Sequence, residues 1–140
     1  MPRTKKPSAE GEANRPLVPV SWGELYDKIS ILEIKSVRIK ARSALANVRR
    51  ELDALNAVAG TSGRRAGLAH LRQALRKVNE ALWEIEDEIR AKEREQVFDT
   101  RFIALARAVY RTNDRRAELK RKINALLGSA LVEEKHYTRY

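Results

Sequence analysis

Cysteine is absent from the sequence, which excludes disulfide bonds, thiolate metal sites and cysteine nucleophiles. Histidine is scarce, and the two copies, His70 and His136, lie too far apart in the chain to form a metal-binding motif. No uncharged stretch approaches the roughly 18 apolar residues of a membrane span, and the N-terminus lacks the apolar region of a signal peptide. We therefore expect a cytoplasmic protein without a metal ion, a cofactor or a transmembrane helix.

Proline occurs only near the N-terminus, where all four copies are found: Pro2, Pro7, Pro16 and Pro19. Proline removes a backbone donor and clashes with the preceding helical turn, so its absence from residue 20 onwards permits long helices. The N-terminal stretch also contains almost nothing to bury. The sequence predicts a flexible, disordered tail over residues 1–19 and a single all-helical domain over residues 20–140.

Basic residues outnumber acidic ones, with 29 lysines and arginines against 19 aspartates and glutamates, and the net charge is +10 over 140 residues. The two signs are interspersed, and the 43% of hydrophobic residues is enough for the core of one domain. A basic protein can bind nucleic acid, but no zinc finger, helix-turn-helix spacing or aromatic and basic motif is present. Nucleic-acid binding is therefore an alternative that rests on net charge alone.

Apolar residues recur every three or four positions through most of the chain, which predicts helices. The first helix begins at Ser21, which can cap the free backbone N–H groups, and Glu24 can complete a capping box. It ends before the glycine-rich segment 59–67, which predicts a hairpin loop. The second helix has the most regular repeat in the chain. Its stripe consists of Leu68, Leu71, Leu75, Val78, Leu82, Ile85 and Ile89.

The apolar pattern loses phase at residues 96–100, where Asp99 can cap a third helix that ends at Gly128. Because this segment has neither glycine nor proline, one bent helix is the alternative, and we favour the break. The predicted fold class is all-α. The three long helices form either an antiparallel bundle or a coiled-coil-like hairpin with a third helix packed against it.

The first half of the first helix is apolar around most of its circumference. The residues concerned are Leu25, Ile29, Ile31, Leu32, Ile34, Val37 and Ile39. Such a helix must be covered on more than one side, and three helices leave one of these sides uncovered. Since a large exposed apolar surface usually marks an interface, we expect the protein to self-associate through this segment, with a homodimer as the first hypothesis.

The segment 110–116 (YRTNDRR) interrupts the apolar stripe of the third helix with polar residues. The stripe resumes in phase, because Val109 and Leu119 are ten positions apart, a sum of three- and four-residue steps. A helix break would rarely preserve this phase, so we predict one continuous helix with Thr112 and Arg116 on its core-facing side. An inward guanidinium costs several kcal/mol unless a carboxylate pairs with it.

Polar residues flank the apolar stripes of all three predicted helices, and we expect them to converge into one charged patch with aromatic edges. These candidates are Lys28, Glu33, Lys35 and Arg38 in the first helix, Asn79, Trp83, Glu86 and Arg90 in the second, and Arg107, Tyr110, Asn113, Arg116 and Lys120 in the third. One interpretation is a salt-bridge network that fixes helix register. The other is a cleft that binds an anionic small molecule through arginines and lysines.

Four segments resemble a bacterial family of short helical proteins that is known only as a domain of unknown function. They are residues 20–35 (VSWGELYDKISILEIK), 78–90 (VNEALWEIEDEIR), 98–124 (FDTRFIALARAVYRTNDRRAELKRKIN) and 133–137 (EEKHY). The resemblance extends over residues 20–137 and implies no activity. It does suggest an accessory role in cell-surface polysaccharide biosynthesis, because similar proteins are associated with genes of that pathway.

The leading hypothesis is a non-enzymatic, cytoplasmic interaction or scaffold protein whose polar network sets helix register. The enzyme alternative is a small all-helical active site similar to that of chorismate mutases, which bind a dicarboxylate through arginines and lysines. This alternative would use positioning and electrostatic stabilisation. Its candidate residues are Lys35, Arg38, Glu86 and Arg116. Neither hypothesis implies a catalytic nucleophile.

Overall fold

The computed structural model describes residues 14–140, and every regular element in this range is helical. The four α-helices are α1 (Trp22–Arg38), α2 (Arg42–Ala59), α3 (Leu68–Glu95) and α4 (Thr100–Leu127), with a short 3-10 turn at Gly60–Ser62. The all-α prediction is confirmed, but the number of long helices is four rather than three. Of the predicted tail, residues 1–13 lie outside the described range. None of the helices in the described range is long and apolar enough to cross a membrane.

The predicted first helix is two helices, because the chain turns back at residues 39–41. The backbone is extended at Ile39 (φ −78°, ψ 129°) and at Ala41 (φ −64°, ψ 124°). The sequence has no glycine or proline at this break, so the break could not be predicted from helix-breaking residues. As a result α2 folds back along α1, so that Ala59 at the end of α2 lies beside Tyr26 near the start of α1. The break thereby supplies a fourth helix to the bundle.

The predicted helix ends at Ser21, Asp99 and Gly128 are confirmed. Ser21 Oγ accepts a hydrogen bond from the N–H three residues further along (3.1 Å), and Asp99 Oδ1 does the same (2.9 Å). Gly128 ends α4 in the left-handed conformation, with φ 62°. The predicted break between α3 and α4 is confirmed too. The residue that ends α3 is Gln96, which has φ 57° without being glycine.

The core lies where α1 packs against α3 and α4, with side chains of α2 closing the remaining side. Leu25, Ile29, Leu32 and Ile34 of α1 are each at most 5% exposed. Each of these side chains contributes about 2 kcal/mol by leaving water. The prediction that this segment is covered on more than one side is confirmed. The expectation that one side stays open is wrong, because α2 packs there, although Val37 near the end of α1 is 74% exposed.

The pair formed by α3 and α4 extends beyond the rest of the bundle. Helix α1 ends at Arg38, whose guanidinium contacts the Glu84 carboxylate of α3 (2.5 Å), and α2 runs back in the other direction. Past Glu84, α3 continues for about 15 Å at a rise of ~1.5 Å per residue. An ion pair between Arg101 and Glu88 (2.5 Å) joins α4 to α3 in this region. We call residues 85–103 the distal hairpin.

Candidate functional site

Arg116 joins α4 to α1 through a bidentate ion pair with Asp27. Its Nε donates a hydrogen bond to Asp27 Oδ1 (2.9 Å), and its Nη2 donates one to Asp27 Oδ2. The Asp27 side chain is 1% exposed and the Arg116 side chain 29% exposed, so the carboxylate is the more deeply buried partner. The hydrogen bond to Asp27 raises the pKa of Arg116 above its ordinary value. As predicted, α4 is continuous through residue 116 and turns this guanidinium inward.

Asn79 and Ser30 complete a three-helix network around the Asp27 carboxylate. Asn79 Nδ2 of α3 donates to Asp27 Oδ1 (2.9 Å) and to Ser30 Oγ (2.6 Å). The Ser30 hydroxyl donates in turn to the Asp27 backbone carbonyl (3.0 Å). Within residues 14–140 every buried side-chain polar atom has a hydrogen-bond partner, so no unpaired group adds a desolvation cost. These contacts join α1 to both α3 and α4.

Lys120 forms a second charged junction about one turn further along α4. Its Nζ donates to Glu24 Oε2 of α1 (2.7 Å) and to Glu133 Oε2 (2.8 Å), and its side chain is 10% exposed. Burial on its own lowers the pKa of Lys120, but the hydrogen bonds to the two glutamates outweigh it, and the pKa is raised. The Glu24 carboxylate therefore serves this junction and not the predicted capping box.

The first turn of α1 lies directly on the last turns of α4. The Gly23 N–H donates to Asn124 Oδ1 (2.7 Å), and the Trp22 N–H donates to Ser129 Oγ (3.3 Å). These side chains satisfy backbone donors that a helix N-terminus leaves free. The two backbones approach so closely that a Cβ atom on Gly23 would lie 2.4 Å from the Lys120 carbonyl oxygen. Glycine is required at this position by that contact.

Several predicted candidates do not join this network, so the structure does not bring all of them together in one patch. Glu33 pairs with Arg76 of α3 (2.9 Å). Glu33 follows Asp27 by six positions and therefore points about 240° around α1 from it. Arg38 pairs with α3 at the end of α1, and its guanidinium carbon lies 5.6 Å from the centroid of the Trp83 ring. These residues hold α1 to α3 at separate places.

The remaining candidates lie at the surface or near it. Glu86 and Arg90 pair with each other along α3 (2.9 Å), Lys28 and Arg107 are exposed, and Lys35 is half-buried. The residues named for the enzyme alternative are consequently not assembled into one site. Arg38, Glu86 and Arg116 each have a different partner: Glu84, Arg90 and Asp27.

Three acidic residues of the two junctions were not among the candidates: Glu24, Asp27 and Glu133. Asp27 carries a usable signal, because it is a carboxylate between Leu25 and Ile29, in the half of the predicted first helix that is apolar around most of its circumference. The capping-box prediction for Glu24 rests only on its position three residues after Ser21. Glu133 follows the last helix, where no periodic pattern indicates which way a side chain points.

An open cleft lies between α4 and residues 128–140, which we call the C-terminal segment. Its volume is about 980 Å³. The segment is attached to α4 by Glu133, which pairs with Lys120, and by Tyr140, whose hydroxyl donates to Asp114 Oδ2 (2.5 Å). The Tyr140 ring also contacts Tyr110, with ring centroids 4.9 Å apart. Other residues that line the cleft are Asn113, Arg116, Lys135, Tyr137 and Arg139.

Glu133 makes the attachment of the C-terminal segment dependent on pH. Hydrogen bonds from Lys120 and Lys135 lower the pKa of Glu133 from 4.5 to about 2. A carboxyl group with a lower pKa in the folded state stabilises that state above its unfolded pKa, and this contribution is lost as pH falls through the folded pKa. We expect full attachment above pH 4.5 and progressive loss between pH 4.5 and about 2. Titration of the Glu133 carboxyl carbon by NMR measures the midpoint.

Substitution of Lys135 by methionine is the control for this titration, because it removes one of the two donors and leaves Lys120 in place. The Glu133 midpoint should then move upward. A midpoint that stays the same in Lys135→Met, or one near 4.5 in the unmodified protein, contradicts the assignment.

Fold and site together define an all-helical bundle protein in which ion pairs join α1 to α4 beside a cleft formed by the C-terminal segment. The sequence matches the family of unknown function DUF6165 over residues 17–140, and the chain belongs to that family. The resemblance to a family of unknown function is thus confirmed. The matched region contains all four helices, so the network and the cleft both lie within it. No curated protein and no solved structure matched the chain.

Proposed function

We propose that the protein is a non-enzymatic helical interaction protein that self-associates through its distal hairpin. The supporting observation is the apolar surface at the end of that hairpin. Phe98 and Ile103 are 54% and 58% exposed, and Val97 is 37% exposed. Large apolar side chains that are exposed together usually mark an interface, because their contact with water is unfavourable and ends when a partner covers them.

Other apolar side chains of the distal hairpin are only half-buried. Ile85, Ile89 and Phe102 extend the apolar stripes of α3 and α4 past the end of α1. Phe98 and Phe102 contact each other edge to face, with ring centroids 5.1 Å apart. Two helices alone bury only the sides that face each other. A second pair of helices on this surface would complete a four-helix arrangement.

The charge distribution also favours contact at this end of the molecule. The distal hairpin contains six acidic and four basic residues, a net charge of −2, whereas the whole chain carries +10. The rest of the molecule is therefore strongly basic, and two copies repel each other there. Contact between distal hairpins keeps the basic regions apart, and a two-fold axis presents the same surface on both copies.

The proposed interface differs from the α1 surface that the sequence suggested, because intramolecular packing already covers most of α1. A cytoplasmic role accessory to cell-surface polysaccharide biosynthesis remains part of the proposal and rests on the family resemblance alone. Nucleic-acid binding remains the alternative that follows from the net charge of +10. It predicts an affinity that falls steeply with salt, because bound phosphates release counterions.

Substitution of Ile103 by lysine tests the interface. We expect the unmodified protein to sediment as a dimer at micromolar concentration and Ile103→Lys to sediment as a monomer, since a charge in an apolar contact costs desolvation energy. Analytical ultracentrifugation measures the mass. Val58→Lys is the matched control, because Val58 is 51% exposed near the end of α2, away from the distal hairpin. A monomeric unmodified protein, or dissociation in both variants, contradicts the proposed interface.

A further inference from the structure

We propose that the cleft between α4 and the C-terminal segment binds a small phosphate ester that carries a ring. This function is independent of self-association, because the cleft begins at Val109 and the distal hairpin ends at residue 103. The cleft volume of about 980 Å³ lies at the upper end of the range of about 300–1,000 Å³ that is typical of small-molecule sites. The cleft is therefore large enough for a nucleotide-sized molecule.

Two guanidinium groups offer donors to an anion from opposite walls of the cleft. Arg116 of α4 uses Nε and Nη2 for Asp27, which leaves Nη1, on the other edge of the group, for a ligand. Arg139 of the C-terminal segment lines the facing wall, and no carboxylate among residues 14–140 is within ion-pair distance of it. Lys120 and Lys135 add positive charge, although a glutamate already pairs with each.

The presence of two guanidinium groups with free donors favours a phosphate over a carboxylate. A phosphate ester presents three oxygens in tetrahedral directions, so it can accept hydrogen bonds from more than one guanidinium group. A carboxylate presents two oxygens in one plane and is matched best by a single guanidinium fork. One fork of Arg116 is already occupied by Asp27, so a carboxylate would use Arg139 alone, whereas a phosphate has oxygens for both guanidinium groups.

Tyrosine rings supply the second part of the site. Tyr137 of the C-terminal segment is 75% exposed and lines the cleft. Tyr110 and Tyr140 form an edge-to-face pair that a hydrogen bond to Asp114 holds in place. A tyrosine offers the face of its ring to an apolar ring and its hydroxyl to a polar group. The Asn113 side chain adds an amide between the rings and the cations.

The buried network holds the Arg116 guanidinium in a fixed orientation before a ligand binds. Because Asp27 holds the guanidinium of Arg116 through two hydrogen bonds, Arg116 loses little side-chain entropy when an anion binds to Nη1. The structural and ligand-binding interpretations of Arg116 are therefore compatible, since they use different nitrogen atoms of one group.

Calorimetric titration of the 140-residue chain with three probes tests this proposal: inorganic phosphate, phenol and phenyl phosphate. We expect phenyl phosphate to bind at least about tenfold more tightly than inorganic phosphate, because the ring adds stacking to the same anion contacts. Phenol alone should give no measurable heat. Arg139→Ala and Tyr137→Ala should each weaken phenyl phosphate binding by about tenfold, because each removes one wall contact.

Arg107→Ala is the matched control, because it removes the same charge from an exposed position of α4 outside the cleft. Its affinity should stay within about twofold of the unmodified protein, since exposed charges at a distance are screened by salt. Arg139 and Tyr137 are both exposed, so neither substitution should unfold the chain, which far-ultraviolet circular dichroism checks. The Ile103→Lys variant should bind phenyl phosphate normally, so failure of the dimer and failure of the site are distinguishable.

Three results would overturn the proposed site. Equal affinity for inorganic phosphate and phenyl phosphate would show that the tyrosine rings of the cleft do not contact the ring of the ligand. Equal losses in Arg107→Ala and Arg139→Ala would indicate attraction to the net charge of the protein rather than a defined cleft. The absence of binding by all three probes up to about 10 mM would exclude even a weak site.

Discussion

Replacing Gly23 with alanine is expected to lower the free energy of unfolding by about 3 kcal/mol, which is the cost of overpacking a tight contact. The added Cβ would lie 2.4 Å from the Lys120 carbonyl oxygen and 3.0 Å from Asn124 Oδ1. The carbonyl belongs to the backbone of α4 and cannot rotate away, so α1 and α4 must separate. That separation also lengthens the hydrogen bond from the Gly23 N–H to Asn124. Urea unfolding followed by circular dichroism measures the loss.

The same substitution at Gly60 is the control for this experiment. A Cβ atom there would have nothing within 4 Å, and the φ angle of −57° suits alanine. Alanine in place of a compatible glycine reduces the entropy of the unfolded chain and stabilises a protein by about 0.4–1 kcal/mol. We expect Gly60→Ala to be at least as stable as the unmodified protein. Equal stability of the two variants would show that the approach of α1 to α4 does not constrain position 23.

Arg116→Met is expected to destabilise the protein more than Asp27→Asn, although both substitutions remove the same ion pair. Loss of Arg116 leaves a carboxylate that is 1% exposed without a cation, and breaking a buried pair in this way costs about 3–5 kcal/mol. Loss of the Asp27 charge leaves Arg116, which is 29% exposed and can be hydrated from the cleft. The new amide oxygen can still accept from Asn79, so we expect a cost of about 1–2 kcal/mol.

A double substitution, Asp27→Leu with Arg116→Met, removes both charges of this pair and leaves apolar side chains to pack in their place. Replacing both partners of a buried ion pair with apolar residues is often neutral, because no charge is left without a partner. We expect the double variant to be more stable than Arg116→Met alone, by the same denaturation measurement. Two results would contradict the expected asymmetry. One is a similar loss of unfolding free energy in Arg116→Met and Asp27→Asn, and the other is a double variant that is less stable than both single variants.

The inward position of Arg116 could be predicted because periodicity is a local property of one helix. The stripe on either side of residues 110–116 stays in phase, and only a continuous helix preserves that phase. Periodicity within α4 does not identify what the guanidinium contacts. Its partner Asp27 is 89 positions away, and the pairing of the two faces depends on where α1 packs.

The break between α1 and α2 shows which part of a fold local signals do not determine. Ile39 and Ala41 have no conformational reason to leave the helix, and neither glycine nor proline lies between α1 and α2. The chain turns there because an apolar α1 needs cover on several sides, and α2 can supply it only by reversing direction. Tertiary packing therefore determines the number of helices. The helix ends at Ser21, Asp99 and Gly128 are determined by local capping, which can be predicted from the residue types.

The first turns of α1 are held to α4 and Ser129 by hydrogen bonds between residues that are 89 to 107 positions apart. During synthesis of the chain these partners are added only after α2 and α3. Helix α2 can cover part of α1 first, but Leu25 and Ile29 also pack against Leu119 and Ile123 of α4. That part of their surface stays exposed until α4 has been made, and exposed apolar surface in a partly made chain promotes aggregation. Helices α3 and α4 are neighbours in sequence and can pair as soon as both are present. The segment 20–35 is thus synthesised before α4 but completes its packing only when α4 is present.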